Sequence, residues 1–135
     1  MDDIRCAIII DPDLPPGVIA NTAAVLAMSL GKRHPELVGQ DLPDARGLPR
    51  TGITTVPMPV LKAGADQLRA LRAAACTTEL TLVELTSATR ATRSYQEYAA
   101  ALASTPEEAI QYQGLALCGP GKRVRQLTGS LGLLR

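Results

Sequence analysis

The chain has 135 residues and a formal net charge of +1, from 14 Lys and Arg against 13 Asp and Glu. With 46% hydrophobic and 20% charged residues it reads as one globular domain, 1–135, and not as a disordered chain. The balanced charge excludes a protein held to nucleic acid by bulk charge alone, and three Tyr without Phe or Trp leave no aromatic platform for stacking bases.

The first predicted element is a strand over Ile4–Ile10, an apolar run bounded by Asp11-Pro12-Asp13 and suited to burial on both faces. Pro15, Pro16 and Gly17 then lead into a helix over Val18–Leu30, apolar nearly all round, with Asp13 as candidate N-cap and Gly31 as candidate terminator. Lys32–Thr51 is rich in Gly, Pro and charge without periodicity and reads as a long surface connection. Ile53–Val60 reads as a second strand, placed at an edge by Pro57 and Pro59, whose missing donors fall on one side.

Ala65–Ala75 carries Leu68, Leu71 and Ala75 on one helical stripe. Leu80–Leu85 is a third strand. Ser94 and Glu97 form a capping box opening a helix to about Ala103, and Thr105, Pro106 and Glu108 repeat that logic for a short turn. Gly114–Cys118 is a fourth strand, and Gly119-Pro120-Gly121 turns into a last helix over Lys122–Thr128, ended by Gly129. Such alternation predicts a three-layer α/β/α sandwich with a mainly parallel sheet. Ligands in such sheets bind at the carboxyl ends of strands, which points to the segments after Ile10, Leu85 and Cys118.

One histidine, His34, excludes any site that needs two imidazoles, and no metal or cofactor is expected. Cys6, Cys76 and Cys118 are odd in number and far apart, so they read as reduced, mostly buried thiols in a cytoplasmic protein. No apolar run approaches the roughly 20 residues that span a bilayer, and the start Met1-Asp2-Asp3 has no basic leader, so neither a membrane nor a signal peptide is expected.

Asp11 and Asp13, close together at a strand end, suit a pair in which one carboxyl acts as acid and the other as base. The plain alternative is an Asx-turn at Asp11 and a helix cap at Asp13. Asn21 and Thr22 place polar groups on an apolar helix, where they need either backbone partners or a ligand. Gly119-Pro120-Gly121-Lys122 sets backbone N–H groups and a cation at a helix start, as phosphate sites do, or else forms a turn and a solvated basic face.

The segment Ile9-Ile10-Asp11-Pro12-Asp13-Leu14-Pro15-Pro16-Gly17, with Gly114–Pro120 and Leu127-Thr128-Gly129-Ser130-Leu131, resembles the type 2 peptidyl-tRNA hydrolases. More closely the chain is similar to a bacterial family of unknown function placed in that superfamily, through Ser29–Lys32, Leu37–Gly39 and Pro59–Lys62. The resemblance implies a four-stranded mixed sheet between helical layers with one strand antiparallel. It also implies a site between the first helix, the third strand's end and the last helix. Asp13, Leu14, Gly17, Ala20, Thr128 and Gly129 match the hydrolase pattern. The expected lysine is Val18 here, a glutamine aligns with Thr22, a histidine with Val25, and the Asp-Ala-Gly motif is replaced around Leu85–Ala88.

Without those groups, the expectation is a binding protein that has lost the hydrolase's charges. Gly17, Asn21, Thr22, Ser87, Lys122 and Thr128 then contribute to a small-molecule or nucleotide-like site beside Asp11 and Asp13, and tRNA is not expected as a partner. The alternative is an ester or amide hydrolase using Asp11 or Asp13 as base. A partner-binding role for a strand edge over Thr54–Val60 stays open, and the superfamily's habit of pairing makes a homodimer a further expectation.

Overall fold

The apolar run Ile4–Ile10 forms β1, and its alternate side chains are buried on opposite sides of a sheet. The computed structural model describes residues 3–135, so Met1 and Asp2, used above to argue against a leader, lie outside the described residues. After β1 come α1 (Pro16–Arg33), a two-residue ribbon β2 (Leu42–Pro43) and β3 (Pro49–Arg50), then β4 (Val60–Lys62) and α2 (Ala65–Ala75). They are followed by β5 (Thr81–Thr86), α3 (Ala88–Ala91), α4 (Tyr95–Ser104), β6 (Tyr112–Pro120) and α5 (Gly121–Thr128).

The main sheet has the order β4-β1-β6-β5. β1 and β4 are parallel, while β6 runs antiparallel to both β1 and β5. Alternation alone predicted a mainly parallel sheet, and the difference has a local cause. Residues 87–111 leave β5 and return at the same end, where Ser87 N–H donates to the Gln111 carbonyl (2.9 Å), so β6 starts beside the end of β5 and runs back. α3 and α4 pack on each other in that excursion and carry the chain across no sheet.

Cys6, Ile8 and Ile10 face Leu26 and Leu30 of α1, whereas Ala7 and Ile9 face Leu68 and Leu71 of α2 and Val124 of α5. Ile9, Ile10, Leu26, Leu68, Leu115 and Leu117 are fully buried, each contributing about 1.5–3 kcal/mol of transfer free energy. Gly114 lets α1 lie directly on β6: a Cβ there would stand 2.9 Å from both the Ile9 carbonyl oxygen and Thr22 Cγ2.

Local expectations change too: β6 starts at Tyr112 and runs on through Gly119 and Pro120, expected as a turn, which pair with Arg5 and Ile4. α1 begins at Pro16 with Pro15 as N-cap and no side-chain cap, because the prolines fix the turn; Asp13 instead gives its N–H to Asp11 Oδ1 (2.9 Å). α1 also runs through Gly31 to Arg33 and stops where His34 precedes Pro35, a position biased away from helix. The strand expected over Ile53–Val60 is only Val60–Lys62, since the donors missing at Pro57 and Pro59 keep the preceding residues out of the ladder. The outer edge of β4 is not open: Lys62 N–H donates to the Gly132 carbonyl and Leu134 N–H to the Val60 carbonyl, both at 2.9 Å. The last residues of the chain thus cover the edge at Val60.

Cys6 and Cys118 lie opposite each other in register, buried, with sulfurs 3.2 Å apart. Burial, with the neighbouring thiol, pushes Cys118 up to about 12. Cys76 is exposed at the end of α2.

Candidate binding cavity

The site begins with an irregularity in β6. Leu85 pairs with Gly114 but the next residue, Thr86, pairs with Tyr112, so Gln113 is the extra residue of a bulge. A regular strand would send Gln113 and Gly114 to opposite faces. Here both meet α1, through Thr22, while Tyr112 packs on the other face with Leu115.

Thr22 Oγ1 donates its only proton to the Val18 carbonyl (2.7 Å), so toward Gln113 it can only accept. Gln113 Nε2 donates to it at 3.3 Å, and this fixes which end of the amide is which. Oε1 is then left without any partner among the described residues, although Gln113 is only 5% exposed. An unmet buried acceptor costs about 1–3 kcal/mol.

Gln113 belongs to the wall of a cavity of about 520 Å³ that opens where β1 and β5 end and α2 begins. Asp11 follows β1, Ser87 follows β5, and Ala65 and Asp66 open α2. Leu14 and Ile110 give the cavity apolar sides, and Arg69, Arg90 and Glu108 stand around it. The size suits a small molecule, and most of the lining is polar, with five charged side chains among it.

The wall formed by residues 108–113 is held by Glu107. Its carboxylate accepts the Tyr112 hydroxyl (2.5 Å) and pairs with Arg69 (3.4 Å) and Arg72 (3.3 Å). Arg69 also donates to the Glu107 carbonyl (2.9 Å) and the Ile110 carbonyl, and lies over the Tyr112 ring. Arg72 Nε pairs with Glu84 at 2.7 Å, which ties α2 to β5 and raises the Arg72 pKa. Burial, then the bond to Glu107, pushes the Tyr112 hydroxyl up to about 12, so it remains a donor at neutral pH.

The profile of a family described as a protein of unknown function, DUF2000, matches residues 4–135. The chain belongs to the DUF2000 family. Among solved structures, that of Atu0240, a protein of unknown function from Agrobacterium tumefaciens strain C58, is similar to it. The two share 20% identity over 98% of each chain at a TM-score of 0.90, which carries the fold alone. No curated protein matches the sequence.

In this DUF2000 chain the cavity takes two of the candidate residues, Asp11 and Ser87, into its wall. Thr22 stands behind the wall, fully buried, and orients Gln113. Asp13, Gly17 and Asn21 are exposed and lie outside the cavity lining. Lys122 is exposed at the start of α5. Thr128 is buried in α5, donating to the Val124 carbonyl (2.7 Å), and the sheet separates α5 from α1. Asn21 and Thr128 therefore do not converge. Among the described residues no three His, Cys, Asp or Glu come together to hold a metal ion, and no helix is long and apolar enough to cross a membrane.

The sequence reading missed Gln113, Tyr112, Arg69 and Arg90. Gln113 did carry a signal: it is a polar residue just ahead of the apolar run Gly114–Cys118. Only the bulge, invisible in one sequence, turns it toward α1.

Proposed function

We propose that this protein binds a small molecule, up to about the size of a nucleotide, in the cavity at the ends of β1 and β5. The observation that carries this reading is the Gln113 amide, held at one end by Thr22 and unsatisfied at the other in a concave wall. Natural proteins rarely leave a buried acceptor unmet without a reason, and a ligand donor is one. We read the fold as the three-layer sandwich of the type 2 peptidyl-tRNA hydrolases with the hydrolytic charges lost. In support, Val18 stands where that superfamily's lysine is expected, and the third strand's end carries no acidic motif. Cys6 and Cys118, side by side as free thiols, favour a reducing, cytoplasmic address. A homodimer would have to form elsewhere than at β4, whose outer edge is already covered, and β5 is the other terminal strand of the sheet.

Thermal-shift screening against metabolites and nucleotides tests the reading. A stabilising compound whose effect disappears in Gln113→Met supports it; stabilisation that persists unchanged in that variant moves the site elsewhere. The hydrolase alternative rests on Asp11, which is in the wall, and not on Asp13, which is outside it. Turnover of N-blocked aminoacyl-tRNA or simple esters, lost in Asp11→Ala, would favour that alternative over binding alone.

A further inference from the structure

We infer that the cavity takes a small organic amine, bound as its cation; this rests on the binding reading above and adds the ligand's chemical class. The buried wall offers an acceptor and asks for a donor, because Gln113 Oε1 is unmet while its Nε2 is committed to Thr22. Around it stand three carboxylates, Asp11, Asp66 and Glu108, against two guanidiniums, Arg69 and Arg90. Arg69 is already paired with Glu107 and donates to two carbonyls, so its charge does not reach a ligand unopposed. Asp11, Asp66 and Glu108 form no ion pair among the described residues.

A bare helix start would favour an anion, but α2 carries Asp66 in its first turn, where that carboxylate meets the pull itself. The surplus is thus negative and rich in acceptors. An ammonium group supplies three donors and a positive charge, which matches the Gln113 oxygen and a neighbouring carboxylate together. The apolar sides, Leu14 and Ile110, suit an aliphatic stem.

The test is NMR titration of the ¹⁵N-labelled protein at low salt. The probes are putrescine and agmatine as cations, adenosine monophosphate and inorganic phosphate as anions, and adenosine as a neutral compound. The expected result is that the amines shift the signals of Ser87, Gln113 and the Gln113 side-chain amide. Asp11→Asn keeps the acceptor for the Asp13 N–H but removes a charge, and is expected to weaken amine binding about tenfold. Glu108→Gln serves as a second variant, and Lys32→Ala, at the far end of α1, leaves the affinity as it is. Amine binding indifferent to both acidic variants overturns the assignment. If only the anions or adenosine shift those signals, the amine class falls and the cavity reading stands. If no probe shifts them, both fall.

Discussion

The molecule has a second notable cavity beside α1, and its contrast with the first is instructive. Cys6, Leu30, Leu37 and Met58 help to line a space of about 150 Å³ near the C-terminal end of α1. The only imidazole there, His34, has its Nε2 bonded to Thr81 Oγ1 at 2.7 Å. Nothing in that lining asks for a partner. The larger cavity at the other end of α1 instead has in its wall Gln113, whose buried amide oxygen has nothing to accept from among the described residues. Apolar space alone marks where packing stopped; an unmet polar group marks where something else belongs.

Truncating the wall of the apolar cavity tests the contrast most severely. Leu30 is 2% exposed, and Leu30→Ala is expected to cost about 2–5 kcal/mol in urea unfolding, through lost burial and an enlarged void. The ligand response of the polar cavity should be unchanged. If Leu30→Ala removed ligand binding while leaving the fold intact, the apolar space would be the site and the comparison would be reversed. The opposite change belongs to the polar cavity. Gln113→Met removes the unmet acceptor and keeps the volume, so it is expected to stabilise the free protein by about 1 kcal/mol while abolishing ligand binding. A loss of that size would mean that the Nε2 bond to Thr22, or an internal partner of Oε1 such as a fixed water, outweighs the unmet acceptor, and the distinction between the two cavities would go.

The fold was largely legible because its signals are local. The apolar run Ile4–Ile10 and the stripe Leu68, Leu71, Ala75 each predict the element found, to the residue in β1 and α2. Ser94 caps α4 as its spacing to Glu97 predicts, accepting the Glu97 N–H at 3.1 Å. Strand direction was less legible, since it depends on where residues 87–111 return and not on any residue's preference. The rule that ligands sit at strand ends led to Asp11 and Ser87. Asp13 and Thr128 came from the resemblance and Asn21 from its place on an apolar helix, and the sheet between α1 and α5 keeps Thr128 apart from Asn21. Gln113 depends on a one-residue bulge, and periodicity carries no information about a residue that breaks it.

The smallest effect concerns the two thiols packed between the strands, one of which, Cys6, also lines the apolar cavity. An ordinary thiol titrates near 9.0, and burial holds Cys6 above that value and Cys118 at about 12. Above pH 9 the unfolded chain therefore releases these protons while the folded one retains them. The folded state then binds more protons, so the unfolding free energy falls as pH rises. The stability that depends on protonated thiols is fully present below pH 9 and is lost toward pH 12. Urea unfolding at pH 8, 9 and 10 measures the slope, and Cys118→Ala should flatten it even though the variant begins from a lower stability. Tyr112, also held at about 12, contributes in the same direction in both proteins, so the difference between their slopes isolates the thiol. Equal slopes would mean that water reaches Cys118 readily, and the apolar side of α1 would then be no drier than the cavity at its other end.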